Sequence, residues 1–323
     1  MVSQNDSLLT LAEIEAARAR IAPYVRRTPV LTNEELDAAA GAQLFFKCEN
    51  LQAIGAFKAR GATNAVFSLS EAEAARGVAT HSSGNHAAAL ARAAALRGAP
   101  AVVVMPRNAA RPKVAQVERL GARIVFCEPT LAAREAAAAK AVAEAGATLI
   151  HPYDNRAVMA GQGTAALEMM EDAQRLDAVL APIGGGGLMS GTASAVKAVS
   201  PTMEVIGVEP AGADDAARSF AAGTLIPLAE AHTIADGLRA SLSESTFAHI
   251  RARVDAVVTV SDEAILSAMR ALWEALRVVV EPSAAVPYAA IREGLVETKG
   301  LRIGVILTGG NVDLDRLPWA PPA

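Results

Sequence analysis

Short β-rich runs alternate with alanine-rich helical stretches along nearly the whole chain, and this alternation restricts the fold more than any other feature of the sequence. The runs lie at residues 43–48, 78–80, 101–105, 123–127, 148–151, 178–183, 204–209 and 302–307, with helical stretches such as 85–96, 112–120, 132–145 and 188–199 between them. A strand–helix–strand repeat of this kind builds parallel sheets with helices on both faces. The 323 residues exceed what one compact core usually spans, which predicts two domains. Hydrophobic residues make up 52% of the chain but aromatic ones only 4%, so alanine and valine must do much of the packing. The helices are therefore expected to lie close on their sheets. In open α/β sheets ligands bind beyond the carboxyl ends of strands, and the loops after these runs are where chemistry is to be sought.

Several function classes are set aside by composition. The net charge is −4 and no basic block is present, which argues against a nucleic-acid partner. Cys48 and Cys127 stand alone, without CxxC or histidine partners at metal-ligand spacing, and read as small buried hydrophobes of a reducing compartment. The first residues, MVSQNDSLLTLAEIEAARARI, are polar and then helical, without a basic or apolar targeting region. No apolar run approaches the ~20 residues a spanning helix needs. A cytoplasmic enzyme is expected, with no membrane partner. Residues 317–323 are expected to fray, and no regulatory module is expected after Asp315.

Five segments carry chemistry. In Ile54-Gly55-Ala56-Phe57-Lys58-Ala59-Arg60-Gly61-Ala62, Lys58 sits in an apolar stretch between glycines. A lysine amine so placed can hold an aldehyde cofactor, or simply snorkel from a helix start. In Thr80-His81-Ser82-Ser83-Gly84-Asn85-His86, small polar residues between strand and helix can aim N–H groups at a carboxylate, or merely cap the helix. Ser82, Ser83, Gly84 and His86 are candidates for holding substrate there, Asn85 for touching a cofactor oxygen; His86 is not assigned as a base. Gly184-Gly185-Gly186-Gly187 closes a strand and opens a helix, a phosphate cup rather than a bare turn. Residues 185–190 read GxGxxS rather than the dinucleotide GxGxxG, and the P-loop lysine is absent, so a phosphate such as that of pyridoxal phosphate fits better. In Leu307-Thr308-Gly309-Gly310-Asn311, Thr308 can place a neutral hydroxyl beside a pyridine nitrogen, or form a polar turn. Finally, Glu209 and Asp215 in Gly207–Asp215 can offer oxygens to a hard cation, or begin the next helix favourably for its dipole.

In order, FKCENLQ…GAFKARGA, HSSGNH, CEP, HPYDN, AGQGT, PIGGGGL, GVEPAGADD, TIADGLRAS, EPSAA and LTGGNVDL resemble the serine racemase and serine/threonine dehydratase family, pyridoxal-phosphate enzymes of fold type II. The resemblance runs from about Arg27 to Leu314. It implies an α/β fold of two open, twisted, mostly parallel sheets flanked by helices, with residues 1–70 and 153–323 as a large cofactor domain and 71–152 as a small one. By resemblance, Lys58 matches the lysine that bonds the cofactor aldehyde and Phe57 the residue beside the ring. Asn85 matches the donor to the 3'-oxygen, Gly184, Gly185, Gly186 and Gly187 the phosphate loop, and Thr308 the pyridine-nitrogen partner. Ser83 matches the opposite-face acid/base of racemases, while Glu209, the Ala213 carbonyl and Asp215 match a divalent-cation site, Mg²⁺ being one occupant. A homodimer is also implied. The chain departs from the family pattern at Ala56, where dehydratases often have serine, and at His86-Ala87-Ala88, where HGQ or HAQ is commoner.

The resemblance further implies that the substrate amine displaces Lys58, whose freed amine then takes the α-proton before the β-hydroxyl leaves. The first expectation for function is a threonine/serine ammonia-lyase giving 2-oxobutanoate or pyruvate with ammonia. A serine racemase with side dehydratase activity and a 3-hydroxyaspartate dehydratase use the same machinery. The latter needs a cation for its second carboxylate, for which Arg134 and Arg239 are candidates. A non-catalytic cofactor carrier and cysteine-synthase-like chemistry are weaker alternatives.

Overall fold

The computed structural model describes residues 8–82, 84–109, 111–315, 317 and 319. The chain opens with α1 (Leu11–Ile21), β1 (Val30–Leu31), α2 (Glu34–Ala40), β2 (Gln43–Cys48) and α3 (Lys58–Phe67). There follow α4 (Glu71–Arg76), β3 (Val78–His81), α5 (Asn85–Arg97), β4 (Ala101–Pro106), α6 (Arg111–Arg119), β5 (Arg123–Cys127), α7 (Leu131–Ala145) and β6 (Thr148–Leu149). The remainder is α8 (Arg156–Ala173), β7 (Ala178–Pro182), α9 (Gly187–Val199), β8 (Glu204–Pro210), α10 (Asp215–Ala222), α11 (Glu244–Arg253), β9 (Ala256–Val260), α12 (Asp262–Leu276), α13 (Pro282–Arg292) and β10 (Arg302–Leu307).

These strands form two sheets, one of six strands in the order β1-β2-β10-β7-β8-β9 and one of four in the order β5-β4-β3-β6. Every pairing is parallel except β1 on β2. The α/β architecture of parallel sheets between helices is therefore as expected. The sequence reading omits β1, a two-residue antiparallel edge, and β9, whose AVVTV is β-branched enough to have been read as a strand. The run at 148–151 contributes only two strand residues, after which the chain turns toward the cleft.

The last strand in sequence, β10, lies between β2 and β7, in register with both. Its carboxyl end is thus flanked by those of β2 and β7, and that of β8 follows. One edge of the larger sheet collects Thr308, the glycine run, the segment leading to Lys58, and Glu209. Such a break in strand order is where open α/β sheets bind ligands.

Small residues set the helix packing, as the composition predicts. Ala87, Ala88, Ala89, Ala91, Ala93 and Ala94 of α5 are all buried. Where α3 crosses α8, a Cβ on Gly161 would stand 2.6 Å from Gly61 Cα, so both positions need glycine for the backbones to meet. Both cysteines are buried. At the chain end expected to fray, Trp319 instead packs edge-on against Trp273, ring centres 5.1 Å apart. Among the described residues no helix is long and apolar enough to cross a membrane.

Candidate active site

After β2 the chain makes two 3₁₀ turns, Glu49–Leu51 and Ala53–Gly55. Ile54 there adopts φ 59° and ψ 9°, a left-handed conformation strained for a β-branched residue. Ala56 then bridges to Gly309, and the Phe57 N–H donates to the Thr308 carbonyl at 3.0 Å. This seats the start of α3 against the loop after β10. Lys58 Nζ donates to the Pro152 carbonyl at 2.8 Å and lies 5.1 Å from the centre of the Phe57 ring. Burial takes its amine from 10.5 down to about 8.

Behind Lys58, a buried ionic cluster bolts the first turn of α3 in place. Arg60 donates to both Glu49 oxygens and both Glu168 oxygens at 2.7–2.8 Å, and Lys47 reaches Glu168 and the Thr28 carbonyl at 2.7 Å. Thr28 Oγ1 donates to Glu49 at 2.6 Å. Glu168 lies below the usual carboxylate range, because Arg60 and Lys47 outweigh its burial. Paired charges of this kind rarely add stability over apolar packing, yet breaking one partner costs several kcal/mol.

The four glycines are boxed in. Gly186, at φ 84°, is the N-cap of α9, a left-handed position that favours glycine. A Cβ on Gly185 would stand 2.3 Å from the Tyr153 ring, and one on Gly184 2.9 Å from Leu238 Cα. Tyr153 therefore walls the glycine loop while its neighbour Pro152 holds Lys58, although sequence reasoning assigned neither a role. The Tyr153 ring stacks edge-on with His151, which stacks in turn on His81. Burial, assisted by the His81 and Lys58 charges, takes His151 down to about 4.

At the end of β3, the Ser82 N–H bonds to the Val104 carbonyl, and the Gly84 N–H donates to Ser82 Oγ at 3.3 Å. Ser83 lies outside the described residues. His86 is buried, with Nε2 3.3 Å from the Ile150 carbonyl and Nδ1 without a partner among the described residues. Burial pushes it well below its ordinary value, in keeping with a neutral ring. Asn85 is held at both ends: its Nδ2 donates to Glu281 Oε1 at 2.8 Å, and its Oδ1 accepts from Asn311 Nδ2 at 2.9 Å. Glu281 and Asn311 are further positions that the sequence reading quoted but did not assign.

One pattern picks out the helices around this cleft. The N-termini of α1, α2, α4, α7, α8, α11 and α12 are capped by Thr, Asn or Ser side chains. Those of α3, α5, α9, α10 and α13 have no side-chain cap on the N-cap residue, and they begin at Lys58, Asn85, the glycine run, Asp215 and next to Glu281. At α10 the first amides go to Glu209 and at α3 the Gly61 N–H goes to Gln162 Oε1, whereas an uncapped positive end beside the glycine run, at α9, suits an anionic ligand. A depressed-pKa amine, a glycine cup at an uncapped helix and an amide with a second N–H to give together fit pyridoxal phosphate.

Beyond β8, Glu209, Ala213 and Asp215 are all buried. Glu209 accepts from the Ala216 and Ala217 amides, and Asp215 from the Leu242 amide, leaving Asp215 Oδ1 without a partner among the described residues. Burial, helped by the Asp215 and Asp214 charges, pushes Glu209 up to about 9. Two buried acids with an orphaned oxygen fit a hard cation.

Three cations border the cleft. Arg239 spends its fork on the Thr233 carbonyl, at 2.6 and 3.1 Å. Arg134 has a buried Nε without a partner among the described residues. Its charge depresses His81, after the larger effect of burial, and partly offsets the burial that takes Tyr153 up to about 12. Lys113 pairs with Asp236 and stands 3.7 Å from where a Gly84 Cβ would lie.

Comparison with known proteins identifies the family. The family model described as pyridoxal-phosphate dependent enzyme matches residues 21–309. A β-hydroxyaspartate dehydratase of Paracoccus denitrificans (strain Pd 1222) is 52% identical, over 96% of this chain and 98% of its own. A serine racemase of Oryza sativa subsp. indica is 49% identical over 93% and 90%. The structure of maize serine racemase superposes with a TM-score of 0.94 at 46% identity, covering 96% of this chain and 95% of that one. The chain belongs to the pyridoxal-phosphate-dependent enzymes of fold type II, in the branch that holds ammonia-lyases and amino-acid racemases.

Proposed function

We propose that the protein is a 3-hydroxyaspartate ammonia-lyase, converting the substrate to oxaloacetate and ammonia. The observation that carries this reading is Arg134, whose buried Nε has no partner among the described residues while its charge is felt at His81 and Tyr153. An unspent guanidinium donor beside the cleft suits a second carboxylate, which serine and threonine lack. Arg239, the other candidate, is occupied by the Thr233 carbonyl. The similarity to a β-hydroxyaspartate dehydratase supports the same substrate, so this reading moves ahead of the threonine/serine lyase expected first.

The bound cofactor supplies an electron sink for the α-carbon. Lys58, with an amine near 8, would hold the cofactor aldehyde and, as a free amine, would serve as the base for the α-proton. The amides of the 82–86 loop hold the α-carboxylate, and the glycine run with the α9 N-terminus holds the cofactor phosphate. Asn85 donates to the cofactor's 3'-oxygen, and Thr308 offers its hydroxyl to the ring nitrogen. Glu209, the Ala213 carbonyl and Asp215 would hold a divalent cation such as Mg²⁺, and Asp215 would link that site to the loop wall through Leu242. That residue gives its N–H to Asp215 and packs its side chain on Gly186.

The test is a panel of L-serine, L-threonine and the diastereomers of 3-hydroxyaspartate, with oxo acid and D-serine both assayed. Hydroxyaspartate should have the highest kcat/KM. Arg134→Leu should lower the hydroxyaspartate-to-serine ratio of kcat/KM about a hundredfold, the usual effect of leaving a buried charge unpaired. An unchanged ratio removes Arg134 from the substrate site. Dominant D-serine formation would replace the lyase with a serine racemase, the reading that the similarity to the rice and maize proteins favours.

A further inference from the structure

Glu281 is the N-cap residue of α13, yet its side chain makes no cap. It is 3% exposed and spends both oxygens on the cleft: Oε1 accepts from Asn85 Nδ2 at 2.8 Å, Oε2 from the Asn311 N–H at 3.2 Å. Its own N–H donates to the Gly309 carbonyl at 2.9 Å, and a Gly309 Cβ would stand 2.4 Å from Oε1. Asn311 completes the ring, its Nδ2 donating to Asn85 Oδ1 at 2.9 Å and to the carbonyl of strained Ile54 at 2.8 Å. Four separate segments thus converge on one amide. Each end of Asn85 has a partner of fixed polarity, a carboxylate for the N–H and an N–H for the oxygen, so the amide cannot flip without breaking two bonds.

We propose that Glu281 is a positioning residue that acts through Asn85, locking the amide so that its second N–H points at the cofactor. The assignment rests on the pyridoxal-phosphate reading of the site. Buried groups bonded in a ring are coupled energetically, whereas independent structural residues are additive. The groups facing Glu281 are Asn85 and Asn311 by hydrogen bond, and Asp236 and Lys113 by charge. Burial with Asp236 raises the carboxyl to about 7, against Lys113 and the two donors. Below that value the protonated carboxyl loses one of its two acceptor bonds, and the grip on Asn85 slackens.

The decisive measurement is a double-mutant cycle on the holoenzyme, using Glu281→Gln, Asn85→Ala and the pair. Its readouts are the pyridoxal phosphate dissociation constant, from quenching of protein fluorescence, and the melting temperature. Glu281→Gln should weaken cofactor binding about tenfold, as expected for a lost charge-assisted bond, and add nothing once Asn85 is gone. Affinity falls with pH in both proteins as the Lys58 amine takes up its proton, but it should fall more steeply through about 7 in the native protein than in the Gln variant. If Glu281→Gln does not fold, Asn311→Ala removes the opposite anchor and should show the same non-additivity with Asn85→Ala. Effects that multiply independently overturn the assignment, as does unchanged affinity in the single variant. A native protein with no visible band removable by borohydride defeats the cofactor reading itself, and the assignment with it.

Discussion

Lys58 is half-buried, and the partial loss of water around its charge appears as an amine lowered from 10.5 to about 8. Below about pH 8 the cofactor-free protein must carry an ammonium it does not favour, a penalty of about 3 kcal/mol. Lys58→Met should therefore abolish the visible band and turnover while raising the melting temperature of the cofactor-free protein by roughly 5 °C at neutral pH. The gain should stay constant below about 8, shrink as the native amine loses its proton, and vanish by 10.5. Scanning calorimetry of both proteins across pH checks the sign, and a variant no more stable at neutral pH would mean the native amine is already well solvated. Lys58, Asn85, the glycine run and Thr308 were legible because each sits in a short motif whose neighbours dictate its backbone. Glu281 was not, since its meaning depends on Asn85, 196 residues away. Tyr153 was hidden for the same reason: it matters through the Cβ that Gly185 lacks.

At the scale of elements, the informative signal is which helices lack a cap on their first residue. Phe57, Gly84, Gly186, Asp214 and Glu281 stand where Ser, Thr or Asn stand in the capped helices, and four of the five lack the short side-chain oxygen of Ser, Thr, Asn or Asp that bonds the first amides. That much was readable in the sequence; the ends of the helices were less so, and β1 is too short to leave a pattern. At α10 the first amides go to Glu209, which burial and Asp215 hold up to about 9. A carboxyl raised in the folded state contributes stability below its unfolded value, and that contribution is lost as pH rises toward 9. A divalent cation reverses this by replacing the protons, so Mg²⁺ should raise the melting temperature by roughly 5 °C near neutrality, and by more at higher pH. Glu209→Gln should abolish the response and be the more stable protein when no cation is added. A Mg²⁺ shift that survives this substitution would place the cation elsewhere.

For the molecule as a whole, the cleft lies between two sheets whose helices meet along α3, and its mouth is spanned by Lys113 of α6 paired with Asp236. The Asp236 side chain is 44% exposed and Lys113 19%, so the pair contributes little to overall stability. Its position suits control of closure instead. The Asp236 charge is also felt at Glu281, and Gly237 next to it gives its N–H to Ser283 at 3.0 Å, so the mouth is tied to the base of α13. A pair that holds the mouth shut would exclude water from the site, and its separation would admit substrate. Lys113→Gln should leave the melting temperature within about 2 °C of the native value and raise KM about fivefold. In the native enzyme salt screens the pair, so KM should climb with ionic strength; in the variant that climb should flatten. Steady-state kinetics over a salt series separates this from a folding defect, since a protein that had merely lost structure would show a lower melting temperature and an unaltered salt slope.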